Sequence, residues 1–300
     1  SIRHMDSRGR LNGINMKGKS GIISSRRDLF MDIFSDNAYG MYSLRYLNRE
    51  YNGDVLLAYL DSSGATQGFT PTEIVDGTLT TFAAGDTTNG RVRVKTLYDQ
   101  SGNGNDASQT SRFNMPVLVE GGTINTLNGT DLPALDFDGG NDFIPLNSAL
   151  PDINIGNCSS FCVGEFDTVN PSPQEIMLSL GWTNGSARWY APTQYYGGLN
   201  FGYAGTWNRV QQTGDTDVHL FTAIAGSTQG DYEPFIDGSS LGTFTRYSRN
   251  SAGTYGIGGG QNTTTYALNG RVAEVCVFRD DCSPDRAALE KNIMDYYEIS

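Results

Sequence analysis

Alternation of polar and apolar residues is the clearest structural signal in this chain of 300 residues. Residues 91–98 have period two, with Val92 and Val94 on one face, which is typical of a half-buried β-strand. Further short apolar runs, each bounded by turn residues, predict strands at 55–60, 65–69, 116–119, 134–137, 160–166, 176–180, 218–225, 232–236, 254–257 and 271–278. Many short strands without long helices between them predict two antiparallel sheets packed face to face.

Two segments have helical spacing instead. Leu289, Ile293 and Tyr297 fall four apart, and we expect Ser283 as the N-cap of this helix with Pro284 at its first position. Between residues 25 and 47 apolar residues recur at three and four, which predicts helical turns. The predicted fold is therefore all-β: an antiparallel two-sheet β-sandwich over residues 36–300, with an N-terminal extension or tether over 1–35 and a short C-terminal helix.

Two polar loops follow apolar runs directly, at residues 98–106 and 136–142. Their oxygen-bearing side chains alternate as calcium ligands do, and the candidate ligands are Asp99, Asn103, Asp136, Asp138 and Asp142. No bidentate Glu completes either set, and Asp and Asn also cap turns by accepting backbone N–H bonds. We therefore expect turn capping and no cofactor, with calcium as the alternative.

Charge narrows the range of partners. The chain has 21 Lys and Arg against 33 Asp and Glu, a formal net charge of −12, which disfavours nucleic acid as a partner. No window approaches the roughly 18–20 apolar residues that span a bilayer, so we expect no membrane insertion. With 37 Gly and 18% charged residues, the composition suits many strands joined by tight turns.

Residues for nucleophilic or metal chemistry are few. His4 and His219 are the two histidines, and His219 lies in an apolar run, where a core or strand role is expected. The cysteines Cys158, Cys162, Cys276 and Cys282 match no common zinc spacing. If the segments near 160 and 277 are antiparallel neighbours, cross-strand cysteines would lie near one another, but burial as free thiols is the favoured interpretation.

Five segments carry a family resemblance: residues 38–45, 98–106, 136–142, 235–238 and 270–278. Their order resembles the concanavalin A-like, laminin-G-like domain of bacteriophage tail and virion proteins, over about residues 38–297. The resemblance implies a concanavalin A-like jelly roll that is part of a virion.

The 98–106 motif also resembles the catalytic domain of the α-L-arabinofuranosidase B family. That family implies a glutamate nucleophile on a mid-chain strand and an aspartate acid directly after an Ile-Gly-Gly turn. Here Gly260 follows Ile257-Gly258-Gly259, and the segment matching the nucleophile strand, residues 187–203, contains no carboxylate. Because a retaining glycosidase needs two carboxyl groups about 5 Å apart, these departures argue against that chemistry.

Aromatic residues concentrate in one window that is also rich in Gly and Asn. Aromatic faces stack on pyranose rings while amides bond sugar hydroxyls, so this window predicts glycan binding. The candidate glycan-binding residues are Trp182, Trp189, Tyr190, Tyr195, Tyr196, Tyr203 and Trp207. The alternative for each ring is packing between the sheets.

These observations lead to one functional hypothesis and two alternatives. We expect a non-enzymatic component of a virion surface, in a phage tail or as a capsid decoration, that faces the extracellular medium and binds glycans. Its partners would be a glycan on a host or environmental surface, other virion proteins and further copies of itself in a homo-oligomer. The alternatives are a glycoside hydrolase with relocated carboxylates and a purely structural decoration protein.

Overall fold

A computed structural model describes residues 38–146, 158–169, 175–182, 189–195, 198–203, 210–225, 231–245, 254–259 and 266–300. Within these ranges the backbone alone is described at residues 181–182, 189–195, 198–203, 210–212, 231–232, 244–245 and 254. The predicted extension over residues 1–35 lies outside the described residues, so its boundary stays a prediction.

Short strands are the main regular elements of the described chain. The first half contains β1 (Ala38–Ser43), β2 (Leu56–Leu60), β3 (Thr66–Phe69), β4 (Val92–Leu97), β5 (Ala107–Ser108), β6 (Val117–Glu120), β7 (Thr123–Ile124), β8 (Leu135–Asp138) and β9 (Ile144–Pro145). The second half contains β10 (Cys158–Phe166), β11 (Glu175–Ile176), β12 (Leu178–Trp182), β13 (Trp189–Tyr195), β14 (Gly198–Tyr203), β15 (Val210–Thr213), β16 (His219–Ala225), β17 (Asp231–Ile236), β18 (Ser239–Ser240), β19 (Phe244–Thr245), β20 (Thr254–Ile257) and β21 (Asn269–Phe278). The helices are α1 (Pro71–Val75), α2 (Thr78–Ala83) and α3 (Arg286–Tyr297).

Hydrogen bonds link the described strands into three antiparallel sets. The largest has the order β18-β17-β16-β10-β21-β8-β6-β4-β2-β3, and the smaller sets are β11-β13-β14-β15 and β12-β20-β9. The large set divides at β21, which pairs with β10 along one edge. Along its other edge β21 pairs first with β8, through Asn269 to Val272, and then with β1, through Glu274 to Phe278. The expected all-β antiparallel sandwich with a C-terminal helix is confirmed.

Side chains on the two faces of β10, β16 and β21 enter two different cores. On one face Cys162, Phe221 and Val275 join the inner core, which contains side chains of β2, β4, β8, β12 and β20. On the opposite face Phe161 and Cys276 join the outer core, which α3 covers with Leu289, Ile293 and Tyr297. All nine residues of β10 are buried, because this strand has a core on each side.

The register of β10 and β21 determines which core Cys162 and Cys276 enter. Phe161 is opposite Cys276, and Cys162 is opposite Val275. Cys162 and Cys276 are thus offset by one residue, so they enter opposite cores, since successive side chains of a strand alternate between faces. All four cysteines are buried free thiols, as expected, and burial raises the pKa of Cys282 to about 12.

A buried ion pair joins β1, β21 and α3 within the outer core. Arg45 Nε and Nη2 donate to Glu274 Oε2 and Oε1 at 2.7 and 3.0 Å, with both side chains almost fully buried. Ser43 Oγ and Tyr297 O–H also donate to Glu274 Oε2, at 3.0 and 3.1 Å. Burial lowers the pKa of Arg45, but Glu274 raises it more, so the guanidinium stays charged.

Two local predictions are wrong. Residues 38–43 form strand β1 rather than helical turns, because β1 is buried on both sides and its apolar residues therefore do not alternate. Helix α3 begins two residues later than predicted, at Arg286 with Asp285 as N-cap, while Ser283 N–H donates to Asp281 Oδ1 in the preceding turn. Among the described residues, no helix is both long and apolar enough to cross a membrane.

Because Arg45 and Glu274 form a buried pair, we expect that substituting one of them destabilises the protein strongly and that substituting both restores most of the stability. Arg45→Met leaves a buried carboxylate without its cation and should lower the free energy of unfolding by about 3–5 kcal/mol, measured by urea titration. Arg45→Met combined with Glu274→Leu should recover most of this loss. The control is Arg91→Ala, which breaks the exposed pair with Glu120 and should cost at most about 1 kcal/mol. Equal losses in Arg45→Met and the control would contradict this account.

Candidate functional site

The four strands β11, β13, β14 and β15 form a sheet that we call the small sheet. Its backbone register places amide residues in adjacent rows. One row runs Glu175, Gln194, Leu199, Gln212, and the next runs Ile176, Thr193, Asn200, Gln211. Successive residues of a strand alternate between faces, so the two rows belong to opposite faces of the small sheet, and β13, β14 and β15 supply the amide and hydroxyl residues.

The fold separates the aromatic candidates that the sequence presents as one cluster. Trp189 on β13 and Tyr203 on β14 occupy directly opposed positions in the small sheet. Tyr190 and Tyr195 also belong to β13, and Tyr195 is opposite Gly198. Trp182 instead ends β12, where it is opposite Thr254 in the three-stranded set. Tyr196 and Trp207 lie outside the described residues, and so does Gly260.

Glu175 is a site residue that the sequence analysis missed. It is the one carboxylate within the four strands of the small sheet, and its side chain is buried. Thr168 Oγ1 donates to Glu175 Oε1 at 3.0 Å, while Oε2 has no hydrogen-bond partner. Burial raises the pKa of Glu175 to about 7, against the opposing effect of the bonds from Thr168 and Asn269. The group is therefore partly protonated near neutral pH.

The loop at 98–106 completes the hydrogen bonding of β1. Asp99 accepts four bonds: Oδ1 from the N–H groups of Met41 and Ser101, both at 2.9 Å, and Oδ2 from Ser101 Oγ at 2.7 Å and Asn105 N–H at 3.0 Å. The Nδ2 groups of Asn103 and Asn105 donate to the carbonyls of Ala38 and Tyr39. Gln100, fully buried, donates to the carbonyls of Ser43 and Arg45 and accepts from Leu47 N–H. These side chains satisfy backbone groups of β1 and of the turn after it.

The loop at 136–142 contains a second unusual carboxylate. Asp138 Oδ1 accepts from Gly140 N–H at 2.8 Å, which is a turn-capping bond. Asp142 is almost fully buried, its Oδ2 accepts from Asp138 N–H at 3.3 Å, and its Oδ1 has no hydrogen-bond partner, with Arg93 Nη1 3.9 Å away. Burial and the nearby Asp138 raise the pKa of Asp142 to about 7.

Two of the calcium candidates, Asp99 and Asp138, make turn-capping bonds. Both oxygens of Asp99 are occupied by N–H and O–H donors, so neither is available to a cation without breaking a bond of β1 or its loop. Asp136 pairs with Arg271 at 3.3 Å. Within the described ranges, no group of three or more His, Cys, Asp or Glu residues is placed to hold a metal ion. The donor set of Asp99 thus does not suit calcium, and binding at Asp136, Asp138 and Asp142 stays a prediction.

His219 has the structural role that its sequence context predicts. Nδ1 lies 2.6 Å from Asp237 Oδ2 and Nε2 lies 2.8 Å from Asp215 Oδ1. Burial lowers the pKa of His219, but the two carboxylates raise it by a larger amount. The resulting pKa is about 9. An imidazolium with a carboxylate on each nitrogen has no free lone pair, so His219 is not a general base at neutral pH.

Comparison with known proteins identifies the fold. No family model and no curated protein matches the chain. Among solved structures, an arabinofuranosidase complexed with arabinofuranosyl-α-1,2-xylobiose aligns with 90% of this chain at 14% identity and TM-score 0.66. A GH54 α-L-arabinofuranosidase soaked with cyclic sulfate inhibitor aligns with 90% at 13% identity and TM-score 0.65. This chain spans 65% and 66% of those two chains, about two thirds of their length. A Trypanosoma rangeli sialidase aligns with 67% of this chain and 31% of its own, at 13% identity and TM-score 0.48.

The two arabinofuranosidase alignments show that the chain shares a β-sandwich fold with those structures. At 13–14% identity they bear on the fold and leave the activity open. The resemblance to an arabinofuranosidase domain is confirmed at this level. The resemblance to phage tail and virion domains depends on the sequence segments alone.

The His219 cluster predicts a specific dependence of stability on pH. Because its pKa is raised in the folded protein, His219 stabilises the fold fully below its ordinary pKa of about 6.5, and this contribution is lost as pH rises through 9. The free energy of unfolding should fall by about 2 kcal/mol more in the wild type than in His219→Gln between pH 7 and 9. Urea titrations across this range measure the difference. Parallel pH profiles for the two proteins would contradict the assignment.

Proposed function

We propose that this protein binds carbohydrate through the small sheet and does not hydrolyse it. The observation that carries the proposal is the set of residue types that the strand register places side by side in that sheet. Trp189 and Tyr203 are opposed, Gln194 and Gln212 share a row on one face, Asn200 and Gln211 share a row on the other, and Glu175 is the one carboxylate of the four strands. Aromatic rings and amides are the groups that recognise the apolar face and the hydroxyls of a sugar.

The carboxylate inventory supports binding without cleavage. Canonical glycoside hydrolysis uses two carboxyl groups, about 5 Å apart in retaining enzymes and about 6.5–9.5 Å apart in inverting enzymes. Residues 187–203 contain no acidic residue, and Gly260 follows the Ile-Gly-Gly turn after which the resemblance implies an aspartate. Within the strands of the small sheet Glu175 is the one carboxyl group, and its charged neighbour Asp167, which helps to raise its pKa, lies outside the sheet.

The fold likeness supports a carbohydrate as the class of ligand. One arabinofuranosidase that aligns with 90% of this chain was solved in complex with arabinofuranosyl-α-1,2-xylobiose. A β-sandwich of the same kind that has amides and aromatic residues on the small sheet, and lacks the paired carboxylates, is suited to hold a related neutral saccharide. A hydrolase remains the competing function, favoured by the raised pKa of Glu175.

Placement on the surface of a virion is a further part of the proposal, and the five resembling segments support it. In that setting, several copies of one weak glycan site would act together and increase avidity. We expect a homo-oligomer, which light scattering coupled to size-exclusion chromatography measures directly. A monomer at micromolar concentration would contradict the oligomeric part of the hypothesis.

Binding at the small sheet predicts a selective effect of Trp189→Ala. This variant removes one ring of the opposed pair and should weaken binding to neutral oligosaccharides on a glycan array at least tenfold. Stacking of a nucleic-acid base on one aromatic ring is worth about 1–3 kcal/mol, and we expect a comparable loss for a sugar ring. The matched control is Phe113→Ala, which removes an exposed ring outside the sheet and should leave binding unchanged.

The same panel, together with aryl arabinofuranosides, tests for turnover by release of reducing ends. We expect none in the wild type. Turnover that disappears in Glu175→Gln would overturn the claim of binding without cleavage, and affinity in Trp189→Ala equal to that of the wild type for every saccharide would overturn the site.

A further inference from the structure

Helix α3 leaves part of the outer sheet face uncovered. The helix has 12 residues, hence a length of about 18 Å, and its last residue, Tyr297, contacts Glu274 on β21. Arg271 lies three residues before Glu274 on the same strand, about 10 Å from it along β21. A cavity of about 840 Å³ opens there, and we call it the outer groove.

The outer groove has a floor and two walls. Arg271 lies at its floor, residues 124–132 form one wall, and Asp295, Tyr296 and Glu298 at the end of α3 form the other. A volume of this size is in the range of about 300–1,000 Å³ that is usual for ligand sites. Around the tip at 128–130 the groove continues into a smaller cavity of about 330 Å³ beside Asp217, His219 and Asp237. Space for more than one sugar ring is therefore present.

A buried carboxylate holds the floor and one wall in place. Glu165 is fully buried, and its Oε1 accepts from Arg271 Nη1 at 2.5 Å while its Oε2 accepts from Asn128 N–H at 3.0 Å. Arg271 Nη1 also donates to Asn128 Oδ1 at 3.2 Å, and Arg271 Nε lies 3.3 Å from Asp136 Oδ1. The backbone register explains this arrangement, because Glu165, Arg271 and Asp136 are directly opposed on β10, β21 and β8.

The wall at 124–132 is also fixed by its own contacts. Leu127 N–H donates to Leu132 O at 3.0 Å, and both leucine side chains are buried in the outer core. Thr130 donates to Leu127 O through both its N–H and its hydroxyl, and Gly129 has a φ of 73° that suits the turn. Two groove-lining groups, the Arg271 guanidinium and the Asn128 side chain, are thus positioned before any ligand enters, which lowers the entropy cost of binding.

The chemistry of the lining selects a neutral ligand. Asp131, Asp295 and Glu298 face the groove together with Arg271, which is already paired with two carboxylates, so phosphate, sulfate and uronate groups would be repelled. A sugar hydroxyl both donates and accepts, so it can bond the carboxylates as well as the amide and guanidinium donors. Tyr296 is half-buried and adds an aromatic wall, the usual partner of a sugar ring.

We propose that the outer groove is a second carbohydrate site, separate from the small sheet and selective for neutral saccharides. Its recognition groups are Arg271, Asn128, Asp131 and Tyr296, and Glu165 is a positioning residue that acts through Arg271 and Asn128. The proposal stands independently of the small-sheet site, because the two share no residue.

The test fills the groove rather than removing its buried charges. Asp295→Trp places a large ring at an exposed position of α3 that lines the groove, and Ala288→Trp places the same ring at an exposed position of the same helix that does not. Asp131→Trp fills the groove from the opposite wall, which covers the case in which one variant fails to fold by circular dichroism. Calorimetry uses neutral xylo-, manno- and galacto-oligosaccharides, with oligogalacturonate as the anionic probe.

The variants are made in the wild type and in Trp189→Ala, so that the two sites are measured separately. In Trp189→Ala, residual binding of a neutral probe should fall at least tenfold with Asp295→Trp or Asp131→Trp and stay unchanged with Ala288→Trp. Oligogalacturonate should bind at least tenfold more weakly than the neutral probes. The outer groove is ruled out as a saccharide site if both filling variants leave binding unchanged, if no neutral probe binds in Trp189→Ala, or if the anionic probe binds best. Loss of binding on filling the groove, with no effect of Trp189→Ala, would overturn the small-sheet site alone.

Discussion

The pairing of β21 is the constraint on which the rest of the structure depends. This strand is bonded to β10 along one edge and to β8 and then β1 along the other, so it belongs to both continuations of the large sheet. The approach to β10 is close where the register shifts, because a Cβ at Gly164 would lie 2.3 Å from the carbonyl oxygen of Arg271. Glycine at that position lets the two strands stay paired on both sides of the shift.

Positions along β21 also determine which charged side chains are covered by α3 and which line the outer groove. On its outer face Glu274 lies beneath α3 and is neutralised by Arg45, whereas Arg271 lies beyond the helix and is held by Glu165 and Asp136. Both clusters give each charge a partner, which burial requires. Glu175 and Asp142 differ, because each keeps a buried oxygen without a hydrogen-bond partner and has its pKa raised to about 7. Perturbed carboxyls of this kind are candidates for function, and Glu175 is the one that belongs to the small sheet.

Alternation in the sequence predicted the strands well where one face of a strand is exposed or a short apolar run is bounded by turns. The strand predicted at residues 91–98 corresponds to β4. The Asp237-Gly238 turn joins β17 to β18, and both of its residues have positive φ. It was wrong for β1, which has no exposed face to alternate with a buried one. The role of the 98–106 loop follows from the unsatisfied backbone of β1, a feature that becomes visible only once β1 and β21 are paired.

The candidate site was less predictable, for a related reason. The aromatic window predicted a cluster, but hydrogen bonding assigns Trp182 to one sheet and Trp189 with Tyr203 to another. The outer groove left no local signal at all, because its residues come from three segments that are distant in sequence and are joined by the row Glu165, Arg271, Asp136.

The two proposed sites adjoin the same short stretch of β10 and β21 from different sides. Glu175 of the small sheet bonds to Thr168, just after β10, and to Asn269, the first residue of β21. Two residues further along β21, Arg271 lies at the floor of the outer groove with Glu165. A hydrolase brings its two carboxyl groups to one bond of one sugar, whereas here Glu165 is bonded to Arg271 and Asn128 of the outer groove and Glu175 belongs to a strand of the small sheet. That separation favours a protein that holds a glycan at more than one point, where affinity arises from simultaneous contacts rather than from chemistry at a single linkage.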